Sequence, residues 1–136
     1  MGKLETTRVL CYCFKVRIFK YPRFNRFASK EGITDDELRE IVGQLEAGQA
    51  DADLGGDVYK QRLARPGEGK SGGYRIIVFF RSKERTIFVY GFPKADRANI
   101  SRKELRAFKN IAKDQLALTN DQIETWIKRG TLIEIL

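Results

Sequence analysis

The sequence predicts one α+β domain, with helices before and after a small, mainly antiparallel sheet. Three observations predict it. Residues 55–94 read as three β-strands in succession, with a glycine-rich basic loop between the first two. Helical patterns with clear start and stop residues lie on both sides of that run. A chain of 136 residues with 42% hydrophobic side chains can bury a core without disulfides or metals.

Residues 1–15 show no helical period and form an extension ahead of a domain spanning 16–136. Phe14, Val16 and Ile18 alternate with Lys15 and Arg17, the period of a half-buried strand. Pro22 suits a helix first turn and Gly32 a C-terminal cap, so 22–31 is a short helix with Phe24, Phe27 and Ala28 on one face. Thr34 and Glu37 form a capping box for a second helix, whose Leu38, Ile41, Val42 and Leu45 recur at helical spacing up to Gly48. The two helices form a hairpin with one apolar face.

Asp51, Asp53 and Asp57 resemble a calcium loop only superficially. Gly55 and Gly56 stand where a ligand and the turn glycine belong, and Arg62 stands where a bidentate glutamate belongs, so the segment reads as a polar turn. Residues 64–71, ARPGEGKS, match a permissive phosphate-loop pattern, but a strand follows where a helix is required. They read as a basic hairpin loop.

The run from Tyr74 to Phe80 and the run from Thr86 to Phe92 form an antiparallel hairpin about a turn at 82–85, and Pro93 ends it. Ser101 with Glu104 caps a helix through Leu105, Phe108, Ala112 and Leu116. Thr119 with Gln122 caps another carrying Ile123, Trp126 and Ile127. Gly130 closes it, and 131–136 reads as a final short strand at the sheet edge.

The net charge of +8 favours a polyanionic partner. The absence of histidine removes the Ser/His/Asp and Cys/His schemes and most transition-metal sites. Cys11 and Cys13, the only cysteines, are too few for a zinc site and lack redox spacing. No apolar run reaches membrane-spanning length and no signal sequence is visible, so a cytoplasmic protein is expected.

Strand parity then sorts the charges. If Arg81 opposes Thr86 and Arg65 opposes Tyr74, one face gathers Lys60, Arg62, Ala64, Arg75, Ile77, Phe79, Phe88, Tyr90 and Phe92. The other gathers Tyr59, Leu63, Ile76, Val78, Phe80, Ile87 and Val89. Helices should cover the second face, because burying unpaired cations is costly, and leave the first at least partly open. Cations beside aromatics suit RNA: arginine and lysine stabilise a developing phosphorane, lysine and tyrosine can carry protons, and rings stack on bases. A face that binds nucleic acid without cutting it has the same residue types.

The strings FKYPRFNRFASKEGITDDEL, DADLGGDVYKQRLARPGEGKSGGYRIIVFFR and FVYGFPKADRANISRKEL resemble the RelE/HigB-type toxins of bacterial type II toxin-antitoxin modules, from about Val16 to the end. The resemblance implies a RelE-like fold, a helical hairpin on an antiparallel sheet. It implies an endoribonuclease that cleaves mRNA, commonly on the ribosome, without a metal or cofactor, and is silenced by a cognate antitoxin, a small helix-turn-helix protein. It places Lys60, Arg62, Arg75, Tyr90 and Lys94 in the catalytic set and Phe92 among RNA contacts, without singling out the general acid or base. Arg65, Lys70 and Arg81, read from their basic character in the same stretch, are further expected RNA contacts. The sister ParE-like branch uses the scaffold to inhibit DNA gyrase, and a non-toxic RNA-binding domain is a further alternative.

Overall fold

A computed structural model describes residues 16–65, 67 and 72–136; the extension 1–15, both cysteines and most of the basic loop, Lys70 included, lie outside the described residues. Strand β1 (Arg17–Lys20) starts slightly later than the alternation suggests. Its last pairing is Tyr21 N–H to the Phe88 carbonyl, at 3.0 Å. Tyr21 stays extended, as a residue before proline prefers, and Pro22 opens α1 (Pro22–Glu31). Gly32 ends α1 in the left-handed conformation, φ 74°, with its N–H turned back to the Ala28 and Ser29 carbonyls. Helix α2 (Asp35–Glu46) begins with the expected reciprocal Thr34–Glu37 capping box.

The segment expected to be a polar turn is instead a short strand, β2 (Ala52–Gly55), leading into a tight turn. Gly55, Gly56 and Asp57 all have positive φ there. The three acidic residues are occupied locally. Asp51 accepts from Arg62, Asp53 from the Gly55 N–H, and Asp57 from Arg81.

Strands β3 (Val58–Arg65), β4 (Gly73–Arg81) and β5 (Arg85–Pro93) form the expected meander. Helices α3 (Arg102–Leu116) and α4 (Asn120–Lys128) carry the two further capping boxes, and β6 (Ile133–Ile135) ends the chain's regular structure at the sheet edge. The strand order is β2-β3-β4-β5-β1-β6. The sheet is mixed, because β1 inserts between β5 and β6 and runs parallel to β5. No helix among the described residues is long and apolar enough to cross a membrane.

Two registers differ from expectation, with different consequences. In the β3–β4 hairpin Leu63, not Arg65, opposes Tyr74. A shift of two residues preserves parity, so every side chain keeps its face. In the β4–β5 hairpin Ile77 opposes Tyr90, as expected, but Val78 opposes Phe88, which leaves Val89 as an extra residue. This β-bulge moves Phe88 to the opposite face and exchanges Ile87 and Val89 with it. Phe88 stacks on Phe24 of α1 at 5.6 Å between centroids, while Ile87 and Val89 join the core beneath α3 and α4.

Helices therefore cover both faces, and the face expected to be at least partly open is open only at its polar end. On one, α1 and α2 bury Phe24, Leu38 and Ile41 against Ile76, Val78 and Phe88. On the other, α3 and α4 bury Ala112, Leu116 and Ile123 against Val58, Ile77, Phe79 and Ile87. Those four strand residues are wholly buried, and each contributes about 1.5–3 kcal/mol by leaving water. Lys60, Arg62 and Arg75 lie at the end of that face beyond them.

Candidate functional site

The polar end of the sheet is built from two neighbouring rows of residues. Lys60, Ile77 and Tyr90 lie side by side on β3, β4 and β5, and Arg62, Arg75 and Phe92 form the next row on the same face. Adjacent strands are about 4.8 Å apart, so Arg62 and Arg75 are immediate neighbours. Like charges directly opposite in an antiparallel ladder repel, at a cost of up to about 1 kcal/mol. Arg62 is nearly half exposed and answered by Asp51, whose carboxylate accepts from its backbone N–H at 2.7 Å and its guanidinium at 3.3 Å. Arg75 is only 7% exposed, and its Nη1 donates to the Tyr74 carbonyl at 3.2 Å.

The loop after β5 closes over this end. Lys94, exposed, follows Pro93, and its N–H donates to the Gly73 carbonyl at 2.9 Å, which puts it beside the same row. Arg97 is the hub of the loop. Its guanidinium takes both oxygens of Glu104, at 3.1 and 2.6 Å, reaches the Tyr90 hydroxyl at 3.3 Å, and lies 5.4 Å from the Phe92 ring centroid. Asn99 accepts from the Lys60 ammonium at 3.2 Å. Arg23 of α1 approaches from the other side, 5.3 Å from the centroid of Tyr90.

Lys60, Arg62, Arg75, Tyr90, Phe92 and Lys94 are thus gathered at one end of the sheet. Arg65 sits at the rim, over the Tyr74 ring and 3.9 Å from Glu31. Arg81 is elsewhere. Six residues along β4 separate it from Arg75, about 20 Å, and it is held by Asp57 and the carbonyl of Leu116. The arginines near Arg81 are also accounted for. Arg17 is paired with Glu124 and Glu134, which raises its pKa, and Arg85 donates to the last-turn carbonyl of Gln115 while burial lowers its pKa.

Three members of the site carried no functional signal in the sequence. Arg97 sits in a loop without periodicity, Glu104 reads as a helix cap and nothing more, and Arg23 reads as a solvated position of α1. A cluster drawn from α1, β5, the β5–α3 loop and the first turn of α3 has no short-range spacing to betray it.

The bidentate Arg97 pair holds the Glu104 carboxyl well below the usual carboxylate range, at about 2, with help from the Ser101 N–H. A depressed carboxylate adds stability above its unfolded pKa and loses it as pH falls through the folded one. Stability should therefore drop as pH falls from about 4.5 toward 2, where the ordinary and folded values lie. Glu104→Gln keeps a capping side chain but loses the charge, so its unfolding midpoint should be lower at neutral pH and change less across that window. Exposure screens the pair and keeps the effect modest. Urea midpoints at a series of pH values check it, and parallel curves for the two proteins would refute it.

Comparison with curated protein sequences returned no match. Residues 16–135 match the family described as the RelE toxin of the RelE/RelB toxin-antitoxin system, over nearly the whole chain. The α+β architecture agrees with that match, and the chain belongs to the RelE family of toxins.

Proposed function

We propose that this toxin is an mRNA endoribonuclease that acts in association with the ribosome, needs no metal, and is neutralised by a cognate helix-turn-helix antitoxin. The observation that carries the reading is the pair of rows at the sheet end, with Arg62 opposite Arg75 and Lys60 level with Tyr90. Arg62 and Arg75 stand on directly opposed residues of neighbouring strands, and two guanidiniums supplied from there can grip one phosphate with charge-assisted hydrogen bonds. The exposed cations of α3, Arg102, Lys103, Arg106 and Lys113, extend a basic track for the backbone. Across the sheet, α2 exposes Asp35, Asp36 and Glu40, so one side of the molecule is suited to RNA and the other is not.

Cleavage then proceeds through the RNA's own nucleophile. The 2′-oxygen loses its proton and bonds to the adjacent phosphorus, the bond to the 5′-oxygen breaks, and that oxygen leaves with a proton. The products are a 2′,3′-cyclic phosphate and a 5′-hydroxyl. Arginine does not give up its proton, so Arg62 and Arg75 stabilise the charge on the phosphoryl oxygens. Lys60, Tyr90 and Lys94 are left to move protons, with Phe92, Arg65 and Lys70 contributing to RNA binding.

Expression without antitoxin should arrest growth and shorten mRNA, with new ends that carry a 5′-hydroxyl. End mapping that distinguishes 5′-hydroxyl from 5′-phosphate checks both points. Full-length mRNA persisting during arrest would overturn the nuclease reading, and inhibited supercoiling in the same cells would favour gyrase as the target. Shortened mRNA with 5′-phosphate ends would overturn the mechanism alone.

A further inference from the structure

Beside the cationic rows a groove of about 330 Å³ opens between the start of α1, β5 and α3, lined by Tyr21, Arg23, Tyr90, Glu104, Phe108 and Ile111 among others. It lies at the lower end of the size range of small-ligand pockets. We propose that this groove is a base-reading subsite that takes guanine from the RNA strand crossing the neighbouring face. The inference rests on the RNA-cleaving reading for the origin of that strand, while the subsite itself rests on the groove's own chemistry.

The walls suit a planar aromatic guest. Tyr90 and Phe108 lie 6.0 Å apart between centroids with their planes tilted by 35°. Ile111 at the mouth is 41% exposed, one of two large hydrophobic side chains left in water among the described residues. Stacking on such walls tolerates any base, so the choice of base has to come from polar groups.

Three such groups remain available. Arg23 has no carboxylate partner among the described residues; its contact is with the Tyr90 ring. Glu104 Oε2 accepts one hydrogen bond, from Arg97, which leaves acceptor capacity on that oxygen. The Tyr21 hydroxyl, in a half-buried setting, has no hydrogen-bond partner among the described residues. Arginine pairs bidentately with O6 and N7 of guanine, and Glu104 Oε2 can accept from the N1–H or the N2–H of the same base. No other standard base offers two acceptors on one edge and two adjacent donors on the next. Tyr90 belongs to both the groove and the Lys60 row, so a base seated here leaves its own phosphate next to Arg62 and Arg75.

The test titrates each of the four nucleoside 3′-monophosphates onto the full-length toxin and follows Ile111 methyl and Phe108 ring resonances. Guanosine monophosphate should shift them saturably and bind at least about fivefold more tightly than the pyrimidine nucleotides, the lower end of what a bidentate base contact provides. Arg23→Ala, a surface change, should remove most of that preference, and in cleavage maps the share of cuts next to guanine should fall relative to the unaltered toxin. Equal affinity for all four nucleotides would overturn the proposal. So would shifts confined to the Arg62–Arg75 row, or groove resonances that respond only to an added antitoxin. If the protein cuts no RNA at all, the titration still decides whether the groove reads guanine, so failure of the nuclease reading and failure of the subsite are separable.

Discussion

Arg75→Ala is expected to lower RNA cleavage by roughly two to three orders of magnitude, the loss that follows removal of one preorganised donor to a developing oxyanion, and to abolish growth arrest. Its position on β4 gives it an orientation that no loop arginine could hold. Phe92 flanks it on β5, Arg62 flanks it on β3, and its Nη1 is tied to the Tyr74 carbonyl at 3.2 Å. Arg75 is largely buried, so some stability is lost on truncation as well; an unchanged circular dichroism spectrum and retained antitoxin binding separate loss of cleavage from loss of fold. Arg75→Lys should recover only part of the activity, because an ammonium cannot grip two phosphoryl oxygens in one plane. Arg81→Ala is the informative control. It removes an equally basic side chain about 20 Å along the same strand, where Asp57 already holds it, and should cut within a few-fold of the unaltered toxin. Near-normal cleavage by Arg75→Ala together with loss in Arg81→Ala would move the active centre to the other end of the sheet.

The contrast between these two arginines shows what the sequence could convey. Caps were legible because they are local. Thr34–Glu37, Ser101–Glu104 and Thr119–Gln122 each satisfy their helix within four residues, and the structure has all three. Pro22 and Gly32 likewise bounded α1 to the residue. The common face of Lys60, Arg62, Arg75 and Tyr90 was legible because parity survives a register error of two. The position of Phe88 was not. In β5 the residues Ile87, Phe88 and Val89 are all apolar, since both faces are buried, and without alternation nothing marks where the extra residue sits. The parallel insertion of β1 beside β5 was equally hidden, because no turn joins those strands. The groove and the Arg97 hub depend on this long-range packing, so they became visible only once the helices were seen on both faces. For the same reason composition grouped Arg81 with Arg75, although one is held by Asp57 at one end of β4 and the other stands opposite Arg62 at the other end.

Gly73→Ala is expected to cost stability and cleavage together. A methyl group on Gly73 would overlap the Leu63 carbonyl oxygen and lie 2.8 Å from the Arg65 nitrogen, inside the contact distance of real atoms. Both obstacles are backbone of the paired strand, so no rotamer change relieves the clash, and β3 must part from β4 at this end. The next pairs along are Leu63 with Tyr74 and Arg62 with Arg75, so parting displaces one of the two guanidiniums proposed to hold the phosphate. Overpacking of this kind costs about 1–3 kcal/mol, and the upper end applies where backbone must move. Gly91→Ala separates the two effects. There the added methyl would meet the Phe27 ring at 2.5 Å, a side chain on the α1 side of the sheet that can swing aside. It should lower the melting temperature less and leave cleavage nearer normal, because the polar rows lie on the opposite face. Melting curves with cleavage assays on both variants check the ordering. A Gly73→Ala protein that melts and cuts like the unaltered toxin would show that the two strands can separate there without disturbing the rows, and the rigidity of the β3–β4 pairing would then have no part in holding Arg62 against Arg75.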